Sequence, residues 1–150
     1  MVLLFCVINA SRAQQPLFQL LSSKQTGITF RNDISEDESL NVLAYEYFYN
    51  GGGVAVGDLN SDGLQDLVFT ANMKPNKVYL NLGGMKFKDI TKESGLEGRK
   101  GGWKTGVTIA DINGDGLPDI YFCYSGKVSD DMRRNQLFIN KGNLKFQEES

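Results

Sequence analysis

The sequence predicts an all-β protein in which a four-stranded antiparallel unit occurs twice. An acidic loop of the form D-x-N-x-D-G-L-x-D is found at residues 58–66 and again at residues 111–119. Short β-branched and aromatic runs flank both loops, which is typical of strands rather than helices. The segments that follow also correspond, because Asn76–Asn81 matches Asn135–Asn140. These observations make the chain a repeat protein.

The first residues have the features of a secretion signal. The apolar run Met1–Ile8 is too short to span a membrane, and the small-x-small sequence Ser11-Arg12-Ala13 follows it. We therefore predict a signal peptide at residues 1–13, which places the mature protein in a secreted, periplasmic or cell-surface location. The alternative is a buried N-terminal strand.

Residues 14–48 are predicted to form an N-terminal extension before the first repeat. Gly27–Asn32 is a candidate strand that could complete the last sheet of a closed ring of sheets. The aromatic run Tyr45–Tyr49 has two interpretations, a strand that packs on the first unit or a platform on which a carbohydrate stacks. Cys123 lies in an apolar run and is expected to be a small buried hydrophobic residue.

The two repeats are predicted at residues 49–98 and 99–150. In the first, the acidic loop joins strands one and two, and Gly83-Gly84 forms the hairpin between strands three and four. Strand two is apolar on both faces, which is expected when each sheet lies between two neighbouring sheets, as in a β-propeller. The four strands are expected at about Val54–Gly57, Leu67–Thr70, Lys77–Asn81 and Phe87–Thr91.

The spacing of oxygen donors in each loop predicts a calcium site. Calcium takes six to eight oxygen ligands, and side chains at positions 1, 3 and 5 of a curled loop can converge on one ion. Glycine at position 6 permits the sharp turn, position 7 offers a backbone carbonyl, and the aspartate at position 9 completes the set. We therefore predict two Ca²⁺ sites. The ligands would be Asp58, Asn60, Asp62, Leu64 (carbonyl) and Asp66 in the first, and Asp111, Asn113, Asp115, Leu117 (carbonyl) and Asp119 in the second.

Two other interpretations of the loops are weaker. An EF-hand needs a bidentate glutamate at position 12 and helices on both sides, but position 12 is Phe69 or Phe122 and the flanks are strand-like. Asparagine, aspartate and glycine also form ordinary turns. However, the two copies agree at six of the ten positions that begin at Asp58 and Asp111, which favours a shared ligand set.

Residues Tyr47–Ser150 resemble a known repeat family. The glycine-rich segment Gly51–Asp58, followed by the loop pattern, resembles the FG-GAP repeat of integrin α-chain propellers. The chain is more similar to bacterial secreted proteins in which FG-GAP/VCBS-type repeats precede an ASPIC/UnbV domain. The resemblance implies a calcium-binding β-propeller, usually of seven blades, so that this chain would be an N-terminal fragment with the remaining blades as partners. The Phe-Gly…Gly-Ala-Pro signature is not intact, so integrin-type ligand binding is not implied.

The composition favours a binding role over catalysis. The chain contains no histidine, which excludes histidine-based catalysis and most zinc sites. A net charge of −2 without a basic stripe argues against nucleic acid as a partner. We therefore expect a non-enzymatic adhesion or protein-interaction scaffold with structural calcium. The alternatives are a polysaccharide-binding component of a glycan uptake or degradation system, with Tyr47 and Trp103 as candidate sugar contacts, or a non-catalytic part of a larger lyase or hydrolase.

Overall fold

A computed structural model describes residues 16–149 of the chain. Its strands form two four-stranded antiparallel sheets, each in the order of the sequence. The first sheet contains β1 (Val54–Gly57), β2 (Asp66–Phe69), β3 (Lys77–Asn81) and β4 (Phe87–Asp89). The second contains β5 (Trp103–Ala110), β6 (Asp119–Ser125), β7 (Gln136–Asn140) and β8 (Phe146–Glu148). The signal peptide predicted at residues 1–13 lies outside the described residues.

The predicted all-β class and the four strands of the first unit are confirmed, with β2 shifted by one residue at both ends and β4 shortened at its end. β2 begins one residue earlier than predicted because Asp66 pairs with Gly57 across the antiparallel ladder. β4 ends at Asp89, two residues before the predicted end. The Asp89 side chain accepts a hydrogen bond from the Thr91 backbone N–H at 3.0 Å, where the chain turns into a short helix (Thr91–Ser94).

The second unit repeats the first with a longer connection between its middle strands. The connection between β6 and β7 contains a short helix (Asp130–Arg133). Arg133 and Arg134 pair with Asp130 and Asp131, and these side chains are largely exposed. This arginine pair is therefore part of a solvated loop.

The two sheets pack face to face around one apolar core. Val68 and Val78 from the first sheet contact Ile120 and Phe122 from the second, and each of the four side chains is fully buried. The neighbouring side chains of β2 point to the opposite face, where Phe69 is only half-buried. This alternation matches the two-sided apolar pattern of the sequence and the arrangement of adjacent propeller blades.

The inner strands β1 and β5 lie side by side, and glycine at residue 53 makes their approach possible. A methyl group at Gly53 would lie 2.9 Å from the Cα of Gly106 in the neighbouring sheet. That distance is shorter than carbon–carbon contact allows, so no larger residue fits without moving one of the strands. The glycine-rich segment before the first loop thus has a packing function.

The N-terminal extension packs along both sheets without joining either of them. The segment Gly27–Asn32, a candidate strand in the sequence, does not form a strand and pairs with neither sheet. It covers the far face of the first sheet, where the Phe30 ring stacks on Phe69 with centroids 4.7 Å apart. The Thr29 N–H also donates to the Tyr79 hydroxyl at 3.2 Å.

The aromatic run Tyr45–Tyr49 forms turns, so its interpretation as a strand packed on the first unit was wrong. Phe48 is buried, and its ring and that of Tyr45 lie 5.4 Å and 5.6 Å from the ring of Trp103 in the second sheet. The run packs there because Trp103 at the start of β5 provides a large apolar surface.

Candidate metal-binding loops

The first loop, residues 58–65, joins β1 to β2 and folds around its own carboxylates. Asp58 accepts hydrogen bonds from the backbone N–H groups of Asp62 (3.1 Å) and Gly63 (2.7 Å). Asp62 accepts from the N–H of Leu64 at 2.8 Å and from the side-chain amide of Asn60 at 2.9 Å. The aspartates at positions 1 and 5 and the asparagine at position 3 are therefore held on one small loop.

Asp66 at position 9 closes the first loop from the adjacent strand. Its carboxylate accepts from the N–H of Leu59 at 2.9 Å and from the N–H of Asn81 at 2.8 Å, and its side chain is fully buried. It therefore ties the beginning of the loop to β2 and β3. Each carboxylate oxygen has two lone pairs, so these hydrogen bonds leave acceptor capacity for a cation.

The second loop, residues 111–118, joins β5 to β6 and repeats this arrangement. The position-1 aspartate, Asp111, accepts from the N–H groups of Gly114, Asp115 and Gly116 at 2.8–3.2 Å. Asp115 accepts from the N–H of Leu117 and from the side-chain amide of Asn113. The buried Asp119 accepts from the N–H groups of Ile112 and Asn140. All ten predicted residues thus occupy equivalent places in two loops of the same conformation.

The two loops differ in their surroundings. Leu59 of the first loop is 1% exposed because the second sheet covers it, whereas the corresponding Ile112 is 54% exposed. The side-chain amide of Asn140, at the end of β7, donates to the carbonyl oxygen of Leu59 at 3.1 Å. The first loop is therefore held by the next sheet in the chain, and the second loop is held by its own sheet.

The electrostatics of the first loop favour a cation. Burial raises the pKa of Asp66, and the charges of Asp62 and Asp58 raise it further, although hydrogen bonds from Asn81 and Leu59 act in the opposite direction. In the second loop, hydrogen bonds from the N–H of Leu117 and the amide of Asn113 lower the pKa of Asp115. A divalent cation beside these carboxylates would offset the cost of burying the Asp66 charge and would also relieve its repulsion with Asp62 and Asp58.

Backbone conformation explains the glycine at position 6. Gly63 and Gly116 both have φ of +84°, a region that side chains with a Cβ disfavour. Position 4 also has positive φ, +61° at Ser61 and +77° at Gly114. The second loop has glycine at this position, whereas the first has a serine whose backbone conformation is strained.

One atom of the first loop supports a fit to calcium. Within residues 16–149, the side-chain oxygen of Asn60 is buried and has no hydrogen-bond partner. A buried acceptor without a donor is costly, and a cation at position 3 of the ligand set would satisfy it. In the same described part of the chain, no three histidine, cysteine, aspartate or glutamate side chains are grouped as a metal site. The three aspartates of each predicted set therefore do not form such a group in this structure.

Of the two aromatic residues predicted as sugar contacts, one is buried and the other is exposed. Trp103 is 3% exposed and packs on Phe48, so its ring has no open face for a sugar. Tyr47 is 53% exposed. Cys123 is a free thiol of intermediate exposure in β6 and is therefore less buried than predicted.

The sequence analysis did not identify the two asparagines that end β3 and β7. Asn81 and Asn140 donate their backbone N–H groups to the position-9 aspartates, Asp66 and Asp119. The available signal was their recurrence at matching places in the two units, directly after an apolar run.

No helix within residues 16–149 has the length and apolar character needed to cross a membrane. A comparison with curated proteins gives no match to the sequence. A comparison with family models matches residues 58–122 to the family described as FG-GAP-like repeat. The matched segment begins at the first loop, includes the second loop and ends within β6. Residues 58–122 are therefore similar to an FG-GAP-like repeat, which supports a repeat protein of this type.

Proposed function

We propose that the protein is a calcium-binding, secreted β-propeller module in which calcium is structural and the sheets present an adhesion or protein-interaction surface. The observation that carries the calcium proposal is the buried, unpartnered side-chain oxygen of Asn60 among the described residues, within a loop whose Asp58 and Asp62 carboxylates accept hydrogen bonds from the loop backbone. In the first site, Asp58, Asn60, Asp62 and Asp66 would provide side-chain oxygens and Leu64 its carbonyl.

Calcium in these loops would stiffen the connection between the first two strands of each sheet. The loops link strands that carry the apolar core, so that order in the loop supports the packing of Val68 and Ile120. Extracellular calcium modules have dissociation constants of about 10⁻⁴–10⁻³ M. At about millimolar calcium, each such site would stabilise the fold by about 0.4–1.4 kcal/mol.

A binding role is favoured over catalysis by the chemistry of the residues. The chain has no histidine, and its clustered carboxylates accept hydrogen bonds inside the loops. A further sheet, from the remaining blades of a propeller, is the first partner that we propose. Ile112 and Tyr121, which are 54% and 36% exposed on the second sheet, would be covered by it in the way that the second sheet covers Leu59.

The experiment is a calcium titration of the whole chain by calorimetry and thermal melting, after calcium removal with EDTA. We expect binding heat and a higher melting temperature in millimolar calcium. Asp62→Ala and Asp115→Ala should each remove part of the calcium-induced shift, whatever their effect on the calcium-free protein. Asp130→Ala is the matched control because its side chain is 90% exposed outside both loops.

If calcium gives neither heat nor a change in melting temperature with the unsubstituted chain, the calcium proposal is wrong. If Asp130→Ala reduces the calcium-induced shift as much as the loop variants do, the ions bind elsewhere. Export is tested separately, by sequencing the N-terminus of protein recovered outside the producing cell, where cleavage after Ala13 would leave Gln14 first.

A further inference from the structure

A cavity of about 360 Å³ lies away from both acidic loops, between the turn that precedes β3 and the segment that leads into β5. Lys74, Arg99, Lys100 and Lys104 line it, and Glu97 is the one acidic residue among the lining side chains. The lining therefore carries a surplus of three positive charges, in a chain whose net charge is −2. Such a concentration of one sign in a concave site attracts ligands of the opposite sign.

Lys104 is the one buried cation among the lining residues of this cavity. It is 3% exposed, and its ammonium group donates to the carbonyl oxygens of Gly102 at 3.2 Å and Arg99 at 3.3 Å. These neutral acceptors satisfy two of its three N–H groups but do not neutralise its charge. Within residues 16–149, no carboxylate oxygen lies within 4.0 Å of this nitrogen. A buried charge without a counter-ion is costly, and an anion in the cavity would reduce that cost.

The remaining cations have different roles. The Arg99 guanidinium points to the second sheet, where it donates to the carbonyl oxygens of Asp131 and Arg134 at 2.8 Å and 2.7 Å. Lys74 and Lys100 are exposed, and their long side chains can swing toward a ligand. Arg99 therefore fixes the wall of the cavity, and the three lysines are available to an anion.

We propose that this cavity binds an oxyanion, a carboxylate or sulfate group on a ligand no larger than a sugar residue, with the ammonium group of Lys104 as its principal donor. The volume lies at the lower end of the range for small-molecule sites. Lysine binds such groups as a point charge through charge-assisted hydrogen bonds. The site is independent of calcium and of the acidic loops.

The test measures the thermal stability of the whole chain in EDTA against increasing sodium sulfate or sodium acetate, with ionic strength held constant by sodium chloride. We expect stabilisation that saturates. In Lys104→Met the apparent dissociation constant should rise about tenfold or more, as expected for the loss of one charge-assisted hydrogen bond. Lys127→Met is the matched control because Lys127 is exposed on another loop.

Sulfate also stabilises proteins non-specifically by exclusion from their surface. Non-specific stabilisation increases with sulfate concentration without saturating and is the same in every variant. If the unsubstituted chain, Lys104→Met and Lys127→Met all respond in this way, the proposal is overturned. If Lys104→Met does not fold, Lys100→Glu replaces it, because it places a negative charge at the mouth of the cavity and leaves Lys104 unchanged. Lys100→Glu should weaken anion binding, and an unchanged affinity also overturns the proposal.

Sugars then identify the group that the cavity selects. Glucuronate carries a carboxylate, glucose 6-sulfate carries a sulfate, and glucose has neither. The proposal is supported if one of the two charged sugars gives saturable stabilisation at concentrations where glucose gives no stabilisation. The sugar that does so identifies the group that the cavity binds. An equal response to glucose contradicts it. Because every measurement is made in EDTA, failure here leaves the calcium proposal untouched, and the reverse also holds.

Discussion

The side-chain amide of Asn140 donates to the carbonyl oxygen of Leu59 at 3.1 Å, and both residues are 1% exposed. The same amide also donates to the carbonyl of Pro118 at 3.1 Å. Asn140 therefore bridges the acidic loop of the first sheet and the end of the loop of its own sheet. This contact couples the two candidate calcium sites to the packing of one sheet on the other.

Replacing Asn140 should cost more stability than replacing its counterpart, Asn81. Asn140→Ala removes the donor from the buried carbonyl oxygen of Leu59 and from the half-buried carbonyl oxygen of Pro118, with an expected loss of about 2 kcal/mol. The amide of Asn81 donates to an exposed carbonyl, that of Gln65, so water can replace it and Asn81→Ala should cost less than about 1 kcal/mol. Urea unfolding of the two variants measures the difference. Equal losses would show that Asn140 does not couple the sheets.

Exchanging the residues at position 4 of the two loops should change stability in opposite directions. Ser61 has φ of +61°, which strains any residue with a Cβ, whereas the corresponding position of the second loop has Gly114. Ser61→Gly should stabilise the protein by about 0.5–1 kcal/mol. This gain is smaller than the strain energy that is removed, because glycine raises the conformational entropy of the unfolded chain. Gly114→Ser should destabilise it by a similar amount. Denaturant unfolding in EDTA is the measurement, and a destabilising Ser61→Gly would contradict this account.

Local features of the fold could be predicted from the sequence. Short β-branched and aromatic runs beside turn residues placed β1 and β3 correctly, because short strands depend on local composition and on the turns beside them. The loop spacing also identified residues that lie together, since positions 1, 3, 5 and 9 are brought close by the loop itself. In both cases the controlling interactions connect residues that are near one another in the chain.

Features that depend on distant contacts could not be predicted in the same way. Leu59 and Ile112 occupy equivalent positions, yet only Leu59 is covered by a neighbouring sheet. The contact that holds Leu59 joins residues 81 positions apart. The sequence pattern likewise gave no sign that Phe48 would pack on Trp103 in the second sheet. Such contacts follow from how sheets stack, which residue periodicity does not determine.

The N-terminal extension should protect the far face of the first sheet. Phe30→Ala removes the ring stacked on Phe69 and opens apolar surface, so the free energy of unfolding should fall by about 1–3 kcal/mol. Phe18→Ala is the matched control because Phe18 is 86% exposed. Denaturant unfolding gives the stability, and binding of a hydrophobic dye reports the opened face. If the two variants behave alike, the extension does not stabilise the sheet.

The stability of the protein should rise between about pH 8 and pH 9.5 because of Lys104. Burial lowers the pKa of its ammonium group from 10.5 to about 8, so above pH 8 the unfolded chain binds more protons at this site than the folded one. Stability therefore increases with pH in this window, and below pH 8 the cost of the buried charge is fully present. That cost is about 1–3 kcal/mol.

Lys104→Met should remove most of the increase in stability with pH and should raise stability at pH 7. Lys127→Met should leave the increase with pH unchanged. Tyr124, beside the segment that leads into β5, has a pKa raised above 10.0 by burial, so its ionisation begins only above the window. Urea unfolding at pH 7.0, 8.0, 8.75 and 9.5 provides the curves, at values chosen around the pKa of about 8. Parallel curves for the unsubstituted chain and Lys104→Met would show that the ammonium group is not held in a desolvated site.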